Sequence, residues 1–347
     1  MQPVELQRGA LMPCSTLPAV LGHLIEAHGK RYAPHYPPAG NADHGPMAFM
    51  ALHSLGMDVA GIEQFAAHYQ RRLIPQEPPV ELITQENWRH YLGRREAYAG
   101  LREFFAAQVD GLGWQEVLTR YLPGLVSGWV KDAFHPLIRL AYGIEFRLPS
   151  EIASGLAYLS SAGNDSALAA LAERSPAPGD AGTYLASLQS LRNASYTEGR
   201  FNARYRAAAG ASGLRPAGGR PEEILRDVSR SALEIFHSTH DFFALHLVTS
   251  SHAFRVCAPW AGPGSSALFS VGIGAAYLGI GAPPFAPLPS ASAELPLQWL
   301  AADTDEHDIK IAYSALMQSS AYEDPTYRWV AMQYLGARHP VASEPRP

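Results

Sequence analysis

The chain has 347 residues, 47% hydrophobic and 17% charged, with a formal net charge of −5. That balance excludes a disordered chain, and the absence of a basic run argues against a nucleic-acid surface. Two cysteines, Cys14 and Cys257, are too few for a disulfide framework, while fourteen histidines steer any metal site toward nitrogen and oxygen ligands.

No export signal is visible at the start. The most apolar run, 267–283, is shorter than a membrane span and is interrupted by Gly and Pro. The expectation is a cytoplasmic protein that binds neither membrane nor nucleic acid, its oligomeric state open.

Helical spacing of Leu17, Val20, Leu21, Leu24 and Ile25 predicts a first helix over 16–28. A Pro/Tyr loop over 31–41 follows. In Asp43-His44-Gly45-Pro46, the proline suits the first turn of a helix, which puts His44 at its rigid start as either a ligand or a plain cap. A helix over 59–73 carries Ile62, Phe65, Ala66 and Tyr69 on one face. Further helical pieces are predicted at 88–92, 97–109 and 114–121. In Phe134-His135-Pro136-Leu137 the device of a histidine just before a helix-opening proline recurs.

Residues 152–171 read as one Ala-rich helix, and 184–191 and 201–208 as shorter ones. The Gly/Ala/Pro/Arg stretch 209–221 is the expected mobile segment or lid. His237 and His240 follow a helix over 222–236. The apolar segment 242–255 holds His246 and His252. On one regular helix these point about 120° apart and lie about 9 Å apart along the axis, so they converge only if the helix breaks at Thr249-Ser250-Ser251. The alternative is two core histidines, each bonded to backbone. Gly272, Gly274, Gly279 and Gly281 do not have the dinucleotide spacing, which leaves close helix packing as their purpose. Asp303 or Thr304 is expected to cap a helix in which Lys310 is either drawn into the core or paired on the surface with Glu306. A last helix starts at Asp324-Pro325. Period-2 alternation and internal repeats are nearly absent. The fold class is therefore all-α, a single large multi-helix domain over 1–340 with a frayed tail over 341–347.

Taken in order, several motifs resemble the questin oxidase family, oxygenases of aromatic polyketide pathways that have shorter bacterial relatives. They are Asp43-His44-Gly45-Pro46-Met47, Tyr69 with Arg72-Leu73, Phe134-His135-Pro136-Leu137-Ile138-Arg139, Leu245-His246-Leu247-Val248-Thr249, His252-Ala253-Phe254-Arg255, His307-Asp308-Ile309-Lys310 and Asp324-Pro325-Thr326-Tyr327. The resemblance spans nearly the whole chain. It implies an α-helical oxidoreductase with a buried central metal pocket. The reaction it implies is oxidative C–C cleavage or Baeyer–Villiger-type ring opening of a polycyclic aromatic, quinone-like or related ketone. O2 is the co-substrate, and some members use NADPH. One branch holds non-haem iron with four histidines and a carboxylated lysine. Carried over, the metal ligands are His44, His135, His246, His252 and Lys310, with no catalytic residue beyond the metal site. Tyr142, Tyr313, Trp129 and Phe243 are candidate walls of an aromatic pocket.

Two departures stand out. The chain is shorter than fungal members, and Asp43 stands where Asn commonly precedes the histidine. No nicotinamide-binding motif is visible, so NADPH rests on the resemblance. Two other functions suit the same residues. One is a metal-dependent hydrolase of an ester or lactone. The other is a non-catalytic carrier of an aromatic ligand.

Overall fold

In the computed structural model, residues 17–38, 41–295, 299–301 and 304–339 are described. Apolar residues at helical spacing become fifteen α-helices among those residues, and the only strands are two-residue pieces. The helices are α1 (Ala19–Arg31), α2 (Gly45–Ser54), α3 (Val59–Tyr69), α4 (Tyr98–Leu112), α5 (Trp114–Tyr121), α6 (His135–Glu145), α7 (Pro149–Ala162) and α8 (Ser166–Ala172). They continue with α9 (Tyr184–Ser187), α10 (Phe201–Ala209), α11 (Pro221–Thr239), α12 (Phe242–Cys257), α13 (Ser265–Gly279), α14 (Glu306–Ala321) and α15 (Thr326–Arg338). Strands β1 (His35–Tyr36) and β2 (Asn41–Ala42) pair antiparallel in front of α2. No helix among the described residues is long and apolar enough to cross a membrane.

The centre of the fold is built from helices that are apolar nearly all round. Every residue of α6 is buried, as are all but three of the sixteen in α12. A helix without a polar face needs neighbours on all sides. Accordingly α12 packs on α6, α11 and α14, while α2 packs on α6 and α14. Each of α2, α6, α12 and α14 therefore touches others of the four, and this group frames the site.

Glycines permit the closest crossing. A Cβ on Gly155 of α7 would lie 2.5 Å from Leu140 Cα of α6, and one on Gly143 would lie 2.8 Å from Ile152 N. Alanine is ordinarily the better helix former by about 1 kcal/mol. Here backbone stands in the way, so Gly155→Ala is expected to destabilise the protein by roughly 2–3 kcal/mol, the cost of overpacking a core. Denaturant unfolding tests this, and a variant as stable as wild type would refute the crossing. Gly272 of α13 shows the same economy, since a Cβ there would lie 2.4 Å from Trp129. Close packing is thus the role of this glycine, as expected.

Some boundaries differ from the sequence reading. The predicted helix over 152–171 is two helices. Gly163, at φ 77°, ends α7, and Asp165 caps α8 by accepting from Leu168 N. Asp305 caps α14; Thr304 does not, and Asp303 lies outside the described residues. The stretch 209–221 is packed down: Leu214 is fully buried, Ala217 N donates to Ser270 Oγ at 3.0 Å, and Ala177 N donates to Pro216 O at 2.7 Å. The expected lid is therefore a tethered segment. The tail 341–347 lies outside the described residues.

Candidate metal centre

The four central helices start at one place. His44 is the N-cap residue of α2, His135 opens α6, His246 lies in the second turn of α12, and His307 is the second residue of α14. Pro46 and Pro136 fix the first turns of α2 and α6 at no cost in hydrogen bonds. Lys310 is one turn beyond His307, so the two share a face of α14.

The imidazoles form a ring of edge-on contacts. Ring centroids are 4.5 Å apart for His44 and His135, 5.1 Å for His135 and His246, 5.3 Å for His246 and His307, and 4.9 Å for His307 and His44. The Nε2 atoms of His44 and His135 face each other at 2.6 Å. Ligand atoms of His44, His135 and His307 lie within 4.8 Å of one another.

Three of the four outer nitrogens are engaged elsewhere. His246 Nδ1 donates to Phe242 O at 2.8 Å, His307 Nδ1 donates to Asp305 Oδ1 at 3.0 Å, and His135 Nδ1 donates to Asp132 O. His44 Nδ1 lies 3.5 Å from Glu306 Oε1. A proton on Nδ1 leaves a lone pair on Nε2, the tautomer that binds a cation. Besides His44 Nδ1, the buried nitrogens His246 Nε2, His307 Nε2 and Lys310 Nζ have no hydrogen-bond partner among the described residues. Buried polar atoms are almost always paired. Several orphans around two opposed imidazole nitrogens fit a metal ion as the missing partner.

Electrostatics keep the group neutral. Burial, reinforced by the charge on Lys310, holds His44 and His246 far below the usual imidazole range, and burial with His44 does the same for His135. Burial lowers Lys310 to about 7, against the opposing pull of Glu306 and Asp305. Each helix start contributes about half a positive charge, which disfavours protonated ligands and favours an anion there. Lys310 thus has a readily available neutral amine, the form that reacts with CO2 to give an anionic carbamate. Glu306 is turned away from it, toward Arg72 at 2.7 Å, so the surface pair Glu306–Lys310 does not form.

The structure brings together His44, His135, His246 and Lys310, and it does not bring His252 to them. Helix α12 runs without a break from Phe242 to Cys257, so the six-residue spacing turns the two rings apart. His252 Nε2 lies 3.0 Å from Glu145 Oε2 and its Nδ1 lies 3.3 Å from Arg255 Nη2, so both nitrogens are used. Tyr313 also donates to Glu145, at 3.1 Å. In place of the expected ligand role, His252 lies in a buried hydrogen-bond network with Glu145 and Arg255. Tyr142 and Tyr313 flank that network rather than the histidine ring. Trp129 is core, and Phe243 packs on Phe201.

His307 takes the fourth imidazole place. Its signal in the sequence was the three-residue spacing to Lys310, which places both on one side of a helix. Asp43 is both cap and partner: it accepts from Gly45 N at 2.9 Å and meets His28 Nε2 at 2.9 Å. His237 and His240 pack on Trp329 and Tyr334, away from the site.

Comparison with known proteins agrees with this architecture. The sequence model of the questin oxidase-like family matches residues 42–232, more than half of the chain. The chain is 30% identical over 130 residues to the Baeyer-Villiger oxidase ptaJ of Pestalotiopsis fici, covering 34% of this chain and 29% of that protein. It is 25% identical over 151 residues to the questin oxidase of Aspergillus terreus, covering 40% and 34%. It is 40% identical over 65 residues to the Baeyer-Villiger oxidase notM of an Aspergillus species, covering 17% and 16%. The matched segments span about a third or less of these relatives. His44 and His135 fall inside the family match, and the helical fold and the ordered motifs accord with it. The chain belongs to the questin oxidase-like family.

Proposed function

We propose that His44, His135, His246, His307 and Lys310 hold one metal ion, iron by preference, and that the protein is an oxygenase acting on a polycyclic aromatic, quinone-like or related ketone. The observation that carries the metal is the set of buried nitrogens without partners on residues around the opposed Nε2 atoms of His44 and His135. The oxygenase reaction rests on the names of the relatives, questin oxidase and Baeyer-Villiger oxidase.

Iron bound there supplies dioxygen binding and electron transfer. The protein supplies the rest. Backbone carbonyls and the Asp305 carboxylate hold the Nδ1 protons of His135, His246 and His307, which orients those three rings. A carbamate on Lys310 adds an anionic oxygen donor. The four helix starts stabilise negative charge that develops near them. The phenyl ring of Phe242, 4.7 Å from both the His246 and the His307 ring, excludes water from that side. Phe242 is 51% exposed, so this is also the side on which the site approaches the surface.

The test is metal analysis followed by oxygen uptake. Protein purified without chelator is expected to hold close to one iron per chain. With a hydroxylated anthraquinone it is expected to consume O2 and lose activity under anaerobiosis. Turnover without NADPH requires the substrate itself to supply every electron that reduces O2, as it does when both atoms enter the products. An absolute need for NADPH indicates insertion of one atom and reduction of the other to water. Metal-free protein after anaerobic iron loading, or turnover without oxygen, would overturn the proposal.

A further inference from the structure

His135 is delivered to the site by an unusual piece of backbone. Asp132, Ala133 and Phe134 all have left-handed φ values, 53°, 52° and 68°. Side chains with a Cβ resist this conformation, and three in a row persist only where the surroundings dictate them. The turn ends directly at His135, and the Asp132 carbonyl that it turns inward accepts from His135 Nδ1.

What dictates the turn lies on other elements. Asn202 of α10 grips Asp132 twice: its Oδ1 accepts from Asp132 N at 2.8 Å, and its Nδ2 donates to Asp132 Oδ1 at 2.9 Å. Arg95 donates to the same Oδ1 at 2.5 Å, and His35 Nε2 lies 3.2 Å from Oδ2. Tyr158 in turn holds His35, with its hydroxyl 2.9 Å from Nε2. Asp132 is thus fastened through its side chain and amide, while its carbonyl is left for the histidine.

We infer that Asn202 is a positioning residue for the metal centre: by clamping Asp132 in the left-handed turn it fixes the carbonyl that orients His135 Nδ1, and so aims His135 Nε2 at the shared point. The inference rests on the metal reading above. Asn202 touches none of the proposed ligands, so its effect passes through Asp132 alone.

Cobalt(II) serves as the probe, titrated into the metal-free full-length protein and followed by visible absorption, with melting of the metal-free form measured alongside. Asn202→Ala removes both grips. Asn202→Asp is nearly isosteric and keeps the acceptor for Asp132 N, but sets a carboxylate against the Asp132 carboxylate. Both variants are expected to bind cobalt about 10–100-fold more weakly, the usual effect of losing a group that orients a ligand. Their absorption spectra should shift as well. The expected fall in melting temperature is only a few degrees. Should Asn202→Ala fail to fold, Asn202→Asp decides. Wild-type affinity in a folded variant, or lower stability with unchanged affinity and spectrum, overturns the positioning role while leaving the metal site intact. Wild-type protein that takes up neither cobalt nor iron overturns the metal reading, and this inference with it.

Discussion

His307→Ala is expected to strip the protein of stoichiometric metal and of turnover, while His252→Ala keeps its metal and loses stability instead. The two histidines differ in what their nitrogens face. His307 Nε2 is buried without a partner beside the His44 and His246 rings, so its loss removes a ligand and leaves few unsatisfied groups behind. His252 is buried against Glu145, whose carboxyl is held below its usual range by His252, against the contrary effect of burial. Removing His252 takes one hydrogen bond from a buried carboxylate that keeps Tyr313 and Arg255, at a cost of about 1–3 kcal/mol. Metal counting and denaturant unfolding on the two variants separate the roles. Full metal in His307→Ala, or metal loss in a stable His252→Ala, would reverse the assignment.

The second large effect concerns Lys310. In the metal-free protein its folded-state value is about 7, against an unfolded reference of 10.5. The unfolded chain therefore binds more protons between those two values, and stability must rise with pH across that window. At pH 7 nearly the whole cost is present, about 3–5 kcal/mol by the conversion of pKa difference to free energy. Lys310→Met fills a similar volume with apolar atoms. The metal-free variant should be more stable than metal-free wild type by that amount at neutral pH and should lose the rise between pH 7 and 10.5. The acid limb should persist in both proteins. His44, His135 and His246 resist protonation when folded, whereas the unfolded imidazoles take protons below about 6.5. Denaturant unfolding across pH after chelator treatment measures this. A variant less stable than wild type, with the alkaline rise intact, would show that Lys310 is not the desolvated group described. Metal binding should vanish in the same variant, so the residue that weakens the fold is the one the site requires.

Much of this was legible in the sequence because it is local. A proline after a histidine announced the starts of α2 and α6, and apolar periodicity announced the all-α architecture. The family resemblance named His44, His135 and His246, whose rings lie in contact, and Lys310, which is buried one turn beyond His307. What could not be read was direction. Whether α12 breaks between His246 and His252 depends on packing from α6, α11 and α14, which no local residue encodes. The same is true of the left-handed turn before His135. Asp132-Ala133-Phe134 has no glycine to advertise it, and its causes sit on β1, on the segment before α4 and on α10.

The proposed ligands also lie far apart along the chain: His44 and His135 are separated by 91 residues, and His246 and His307 lie on two further helices. An ion that joins them closes several large loops at once. Unlike a disulfide, such an ion holds these loops together only in the folded chain, so its contribution to stability is set by its affinity and free concentration. It also dictates an order of events. None of the four helix starts can gather the others until the intervening helices have packed, so the pocket closes late in folding. If the proposed ion is held there, its release is expected to leave a folded protein with a faster unfolding rate rather than an unfolded one.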